Sequence, residues 1–88
     1  MIRQHITFYG DVQGVGFRYN AYHIANSLGL TGYVHNEWDG SVTSEVQGDE
    51  DEIDLFLDKI GRGRYISIDR IEKTNMSLDE DERTFRIE

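Results

Sequence analysis

The sequence contains no cysteine, which removes disulfide scaffolds, cysteine-ligated metals and cysteine nucleophiles together. It is also poor in positive charge, with 9 Lys and Arg against 17 Asp and Glu and a net charge of −8. That balance opposes nucleic acid as a main partner, because a phosphate backbone is met by excess Lys and Arg. Long apolar runs are missing as well. The longest stretch free of Asp, Glu, Lys and Arg, Tyr19 to Asn36, holds Asn, His, Ser, Thr and Gly and is no membrane span. The start, Met1-Ile2-Arg3-Gln4-His5, lacks the apolar run of a secretory leader, so a cytoplasmic protein is expected. With 88 residues, one domain over 1–88 is the expectation.

What charge there is lies unevenly. Residues 1–44 carry Asp11, Glu37 and Asp39 against Arg3 and Arg18, so the second half holds −7 of the −8. Most of the 9 glycines lie in the nearly neutral half, and chemistry is sought there first.

The chain opens on alternation. Ile2, Gln4, Ile6 and Phe8 share one face, while Arg3, His5, Thr7 and Tyr9 share the other, which predicts a strand. Gly10-Asp11-Val12-Gln13-Gly14-Val15-Gly16 is too rich in glycine for a strand interior or a helix. Apolar positions 17, 21, 24, 25 and 28 then follow helical spacing, and Gly29 stands where a left-handed helix end is needed. A second strand is expected over about Leu30 to Glu37. Asp39-Gly40 predicts a type I′ hairpin into a third strand with Val42, Ser44 and Val46 on one face. Asp49 and Glu52 have the spacing of a capping box, ahead of a helical stripe of Ile53, Phe56, Leu57 and Ile60. Ile66, Ile68 and Ile71 mark a fourth strand whose phase slips once, as at a bulge. The acidic residues 79–82 are expected to form a solvated turn, and Thr84 to Ile87 a short last strand.

This order predicts an α+β, ferredoxin-like β-α-β-β-α-β sandwich. Its sheet is mostly antiparallel, both helices lie on one face because the crossovers are right-handed, and a short terminal strand is added. The fold alone selects no function.

Between the first strand and the first helix the sequence holds the parts of an anion cradle. Glycines let backbone N–H groups converge, and the helix start adds unpaired N–H groups of its own. Arg18 stands at the helix end where a cation is unfavourable by about 0.3–1 kcal/mol, and a bound anion would reverse that penalty. The loop lacks the Gly-Lys-Ser/Thr ending of a Walker A sequence, and its glycine spacing is not that of a dinucleotide fingerprint.

Two segments carry a family resemblance. Gly10-x-Val12-Gln13-Gly14-Val15-Gly16-Phe17-Arg18 resembles the first signature of the acylphosphatases. Gly32-Tyr33-Val34-His35-Asn36, with Asp39-Gly40-Ser41-Val42, resembles the second. The likeness spans essentially the whole chain. It implies a metal-independent, cofactor-free hydrolase that splits small acyl phosphates into a carboxylate and inorganic phosphate. It implies that Arg18 binds phosphate and that Asn36 orients the attacking water. The implied phosphate cradle is Gln13, Gly14, Val15, Gly16, Phe17 and Arg18. A monomer with no nucleic-acid or membrane partner is expected. The alternative is a non-catalytic anion-binding or regulatory module on the same fold, which would have no need of Asn36.

Some residues depart from the pattern or invite other readings. Asp11 and Glu37 place carboxylates near the cradle in sequence, although Glu37 should face away from Asn36, its neighbour along a strand. Gly63-Arg64 replaces the family's Gly-Pro, since the chain has no proline. His5, His23 and His35 lie on different elements without metal-ligand spacing and read as structural or surface residues. Trp38 is expected to pack on the sheet edge rather than line the acyl side, and Tyr19 and Tyr22 to pack at the core edge.

Overall fold

The computed structural model describes all 88 residues. In chain order the elements are β1 (Ile2–Asp11), α1 (Phe17–Ser27), β2 (Thr31–Asn36), β3 (Val42–Gly48), α2 (Glu50–Ile60), β4 (Ser67–Met76) and β5 (Phe85–Ile87). The five strands form one sheet in the order β4-β1-β3-β2-β5. All neighbours are antiparallel except β2 and β5, which run parallel. This is the ferredoxin-like sandwich the sequence predicts. No helix is long and apolar enough to cross a membrane.

Alternation decides which face of the sheet is covered. Ile6, Phe8, Val34, Val42 and Val46 are fully buried, together with Ala21 and Ala25 of α1 and Ile53, Phe56 and Ile60 of α2. The Phe8 and Phe17 rings meet edge to face, with centroids 4.9 Å apart. Such a pair contributes about 0.5–1.5 kcal/mol beyond its buried area, and here it fixes the start of α1 against β1.

Three local expectations are corrected. Asp39 does not take positive φ, so the β2–β3 hairpin is not type I′. It is a three-residue loop closed by Glu37 N–H donating to the Ser41 oxygen at 2.9 Å, with Gly40 at φ 95°. The Asp39 carboxylate accepts from both the N–H and the hydroxyl of Ser41, at 2.9 and 2.6 Å, which favours this wider loop. Asp49 does cap α2 in extended geometry, but its side chain makes no capping hydrogen bond. Acidic residues in the first turn still match the helix dipole. The anticipated bulge is present: Tyr9 pairs with Arg70 but Gly10 with Ile68, which leaves Asp69 as the extra residue.

The third correction concerns the acidic segment 79–82, which is not simply solvated. Glu82 has only 2% of its side chain exposed and holds Arg3 Nη1 at 2.7 Å. Arg3 also donates to Glu45 at 2.9 Å from the sheet face opposite the helices. The hydrogen bond to Glu82 is the main reason the Arg3 guanidinium holds its proton more tightly, against the opposing effect of burial. Glu45 accepts from Arg3, from the Tyr33 hydroxyl at 2.9 Å and from His5 at 3.2 Å. Burial alone would raise its carboxyl, but these bonds outweigh it and hold the group below its ordinary range.

The Tyr33 phenol is pushed from 10.0 up to about 12, by burial first and then by its bond to the Glu45 carboxylate. The folded chain therefore keeps a proton that the unfolded chain loses between 10.0 and about 12. This contribution to stability is complete below the lower value and is lost as pH rises through the window. Urea unfolding at about pH 9 and pH 11.5 should show wild type losing stability, and Tyr33→Phe losing less across the same interval. An equal loss in both proteins would refute the assignment to Tyr33.

Candidate active site

The loop between β1 and α1 is pinned at both ends by side chains that are 1% exposed, Val12 and Phe17. Between them, Gly14 and Gly16 adopt φ of 73° and 78°, while Val15 does not take positive φ. This alternation turns successive N–H groups toward one side, and glycine is the residue that adopts it without a Cβ clash. The N–H groups of Gln13, Gly14, Val15 and Gly16 have no acceptor within the protein. The first N–H satisfied at the helix start is that of Asn20, bonded to the Gly16 oxygen at 3.0 Å, so those of Phe17, Arg18 and Tyr19 are free as well. Gly16 offers no side-chain cap, and the first turn of α1 holds no acid. The positive end of this helix is thus left unneutralised by the protein.

Arg18 stands in that first turn. Its Nη1 donates to the main-chain oxygen of Glu88 at 2.9 Å, and it pairs with no Asp or Glu side chain. Arg3, Arg62, Arg70 and Arg86 all lie within 4.0 Å of carboxylates. In a chain of 17 acids, the arginine beside the glycine loop pairs with no Asp or Glu side chain, as is also true of Arg64 and Arg83.

Asn36 ends β2, facing the helices two residues beyond buried Val34. It joins Val12, Gly14, Gly16, Phe17, Arg18, Tyr19 and Ile87 around a cavity of ≈ 190 Å³. Its Oδ1 is buried without a hydrogen-bond partner. An orphaned buried acceptor costs about 1–3 kcal/mol, and a native structure retains such an atom for a reason.

Of the residues singled out from the sequence, Gly14, Gly16, Phe17, Arg18 and Asn36 are brought together around this cavity. Gln13 and Val15 do not line it. The Gln13 side chain turns to the hairpin, where its Nε2 donates to the main-chain oxygens of Glu37 at 2.6 Å and Ser41 at 2.9 Å. Val15 packs partly buried against the core. Asp11 and Glu37 are absent from the lining, and the Glu37 carboxylate instead accepts from the Thr43 hydroxyl at 2.8 Å. Trp38, expected to pack on the sheet edge, is 97% exposed. Tyr22 packs against the core as expected, whereas Tyr19 lies at the cavity and is 64% exposed. Ile87 was missed as a lining residue. Its signal was the alternation of β5, where buried Phe85 places residue 87 on the same face. No three His, Cys, Asp or Glu side chains cluster in a way that could hold a metal ion.

The ferredoxin-like sheet thus gathers a loop of unpaired N–H groups, an arginine paired with no Asp or Glu side chain and an orphaned amide around one cavity, an arrangement suited to an anion. The acylphosphatase family model matches residues 4–87. The acylphosphatase of Geobacillus kaustophilus is 44% identical over 88 residues, covering 99% of this chain and 94% of its own. That of Clostridium perfringens is 45% identical over 89 residues, covering 97% of each. The crystal structure of acylphosphatase from Bacillus subtilis superposes with a TM-score of 0.92 at 32% identity, covering 99% of this chain and 98% of that one. The chain belongs to the acylphosphatase family, metal-independent hydrolases of acyl phosphates.

Proposed function

We propose that this chain hydrolyses small acyl phosphates by gripping the phosphoryl group in the 13–18 loop and aiming a water at phosphorus with Asn36. The observation that carries the reading is Arg18, which pairs with no Asp or Glu side chain and stands beside a row of unpaired N–H groups. A guanidinium holds two phosphate oxygens in a fixed plane and stays charged at any working pH. The N–H groups of Gln13 to Gly16 and the helix start supply the remaining donors. Here Gln13 and Val15 contribute through the main chain.

In the reaction the bond from water oxygen to phosphorus forms as the bond from phosphorus to acyl oxygen breaks. The electron pair leaves with the carboxylate, a good leaving group, so strong base catalysis is unnecessary. Positioning and charge stabilisation are the main tasks. No Asp, Glu or His lines the cavity, and an amide is a very poor base. The water's proton therefore passes to a phosphoryl oxygen. Asn36 offers an acceptor and a donor on one planar group, and its terminal torsion is soft enough to present either to the cavity.

Gln13 acts as a brace in this proposal. Both hydrogens of its Nε2 are used on the hairpin that follows Asn36, which ties the cradle to the strand end carrying the amide. Gln13→Met keeps the length and removes both donors. It should lower kcat roughly tenfold while changing inhibition by inorganic phosphate much less. Unchanged kcat would exclude the brace.

One chain supplies every group in this scheme, so a monomer is the proposed working unit. A cytoplasmic location is proposed, since a cysteine-free chain suits a reducing compartment. The net charge of −8 argues against a nucleic-acid partner. Hydrolysis of benzoyl phosphate by wild type in excess EDTA tests the function. Turnover well above buffer is expected, whereas activity equal to buffer would favour the non-catalytic anion-binding module.

A further inference from the structure

Asn36 has to aim a water, yet its buried Oδ1 has no hydrogen-bond partner that would orient the amide. Its aim therefore depends on the main chain it springs from, where β2 ends and the hairpin loop begins. One atom gathers that loop. The main-chain oxygen of Ser41 accepts from the Glu37 N–H at 2.9 Å and from Gln13 Nε2 at 2.9 Å. The first bond fixes the peptide plane that leaves Asn36, and the second joins the loop to the cradle. The Glu37 oxygen works from the other side, accepting from the Gly40 N–H at 3.3 Å and from Gln13 at 2.6 Å. What holds Ser41 in place is an exposed carboxylate that does not line the cavity. Asp39 Oδ1 accepts from both donors of Ser41, the N–H at 2.9 Å and the hydroxyl at 2.6 Å. The hydroxyl first, and then the N–H, hold the Asp39 carboxyl below its ordinary range, so at neutral pH it is ionised and only accepts.

We propose that Asp39 is a positioning residue for hydrolysis, its carboxylate holding the hairpin in the shape that points the Asn36 amide at the water. This rests on the hydrolase reading above and adds a residue that touches neither phosphate nor water. Asp39 acts by accepting two hydrogen bonds and not through its charge. A negative charge at this end of the molecule opposes the binding of an anion. The bonds to Ser41 instead act on rate, because a small displacement of a group that aims a reactant lowers the rate steeply. Phosphate affinity is set by Arg18 and the loop N–H groups, none of which Asp39 touches. A loosened hairpin should therefore slow the reaction while leaving phosphate bound.

The test compares wild type, Asp39→Ala and Asp39→Asn by kcat for benzoyl phosphate and by the inhibition constant of inorganic phosphate. Asparagine keeps an oxygen that can accept both bonds from Ser41 and removes the charge. Asp39 is exposed in a loop, so folding should survive, and a thermal melt of each variant checks it. In Asp39→Ala kcat should fall roughly tenfold while the phosphate constant stays within about twofold of wild type. In Asp39→Asn both should stay within about twofold of wild type. Wild-type kcat in Asp39→Ala, or an equal loss in the two variants, overturns the positioning role and leaves the hydrolase reading intact. A phosphate affinity that weakens in step with kcat in Asp39→Ala overturns it as well, since the residue would then support the cradle and not the aim. Turnover by wild type equal to buffer overturns the hydrolase reading and the positioning role with it.

Discussion

Replacing Arg18 by alanine should lower kcat/KM for benzoyl phosphate by at least about 10²-fold, the scale of losing a preorganised donor aimed at developing charge. Both terms should suffer, because in the proposed mechanism the guanidinium meets the phosphoryl oxygens in the ground state and in the transition state alike. Inhibition by inorganic phosphate should weaken in parallel. Arg18→Lys should recover only part of the loss, since a point charge cannot reproduce the planar fork that spans two oxygens. Little stability should be lost, because Arg18 makes a single exposed side-chain hydrogen bond and pairs with no Asp or Glu side chain. Steady-state kinetics and a thermal melt on the same preparations separate the two effects. Full activity in Arg18→Ala would remove the residue from the mechanism.

Asn36→Ala should lose a comparable factor, about 10²-fold or more, but almost entirely in kcat. In the proposed mechanism the amide aims water and does not supply the charge that holds phosphate. Its Oδ1 is already buried without a partner, so the truncation discards an unsatisfied acceptor rather than a formed bond. The variant should therefore unfold at the same denaturant concentration as wild type or a higher one. Activity and stability moving in opposite directions is the signature of a position kept for chemistry against its local cost. A variant that loses kcat and stability together would make Asn36 a structural residue instead.

The fold was readable where burial imposes a period. Ile6 and Phe8 alternate on β1, and Ile53, Phe56 and Ile60 recur on α2, because one face of each element meets the core. The slip between Ile68 and Ile71 exposed the bulge for the same reason, since an extra residue reverses which side chains face inward. Turn details were less legible. Asp39-Gly40 suits a type I′ turn on backbone preference alone, yet the Asp39 carboxylate binding Ser41 widens the loop. Sequence spacing contains no record of that competition. Nor does it reveal that Glu82 reaches Arg3, because that ion pair joins residues 79 positions apart.

At the site, glycine spacing and the placement of Arg18 signalled the cradle locally, as main-chain geometry does. Asn36 entered only through the family likeness, since one asparagine at a strand end carries little signal alone. Gln13 shows the remaining limit: it lies within the cradle sequence, but its side chain serves the hairpin. Long-range charge was the least informative quantity. The overall −8 belongs mostly to residues 45–88, while the cavity itself is lined by one formally charged residue, a cation.

The division of labour between a cradle that binds and an amide that aims water is tested most directly by one measurement. It is the competitive inhibition constant of inorganic phosphate in Asn36→Ala, taken in excess EDTA beside kcat for benzoyl phosphate. A constant within about twofold of wild type is expected while kcat falls by about 10²-fold or more. A phosphate affinity that falls together with kcat, or a kcat left unchanged, would contradict it.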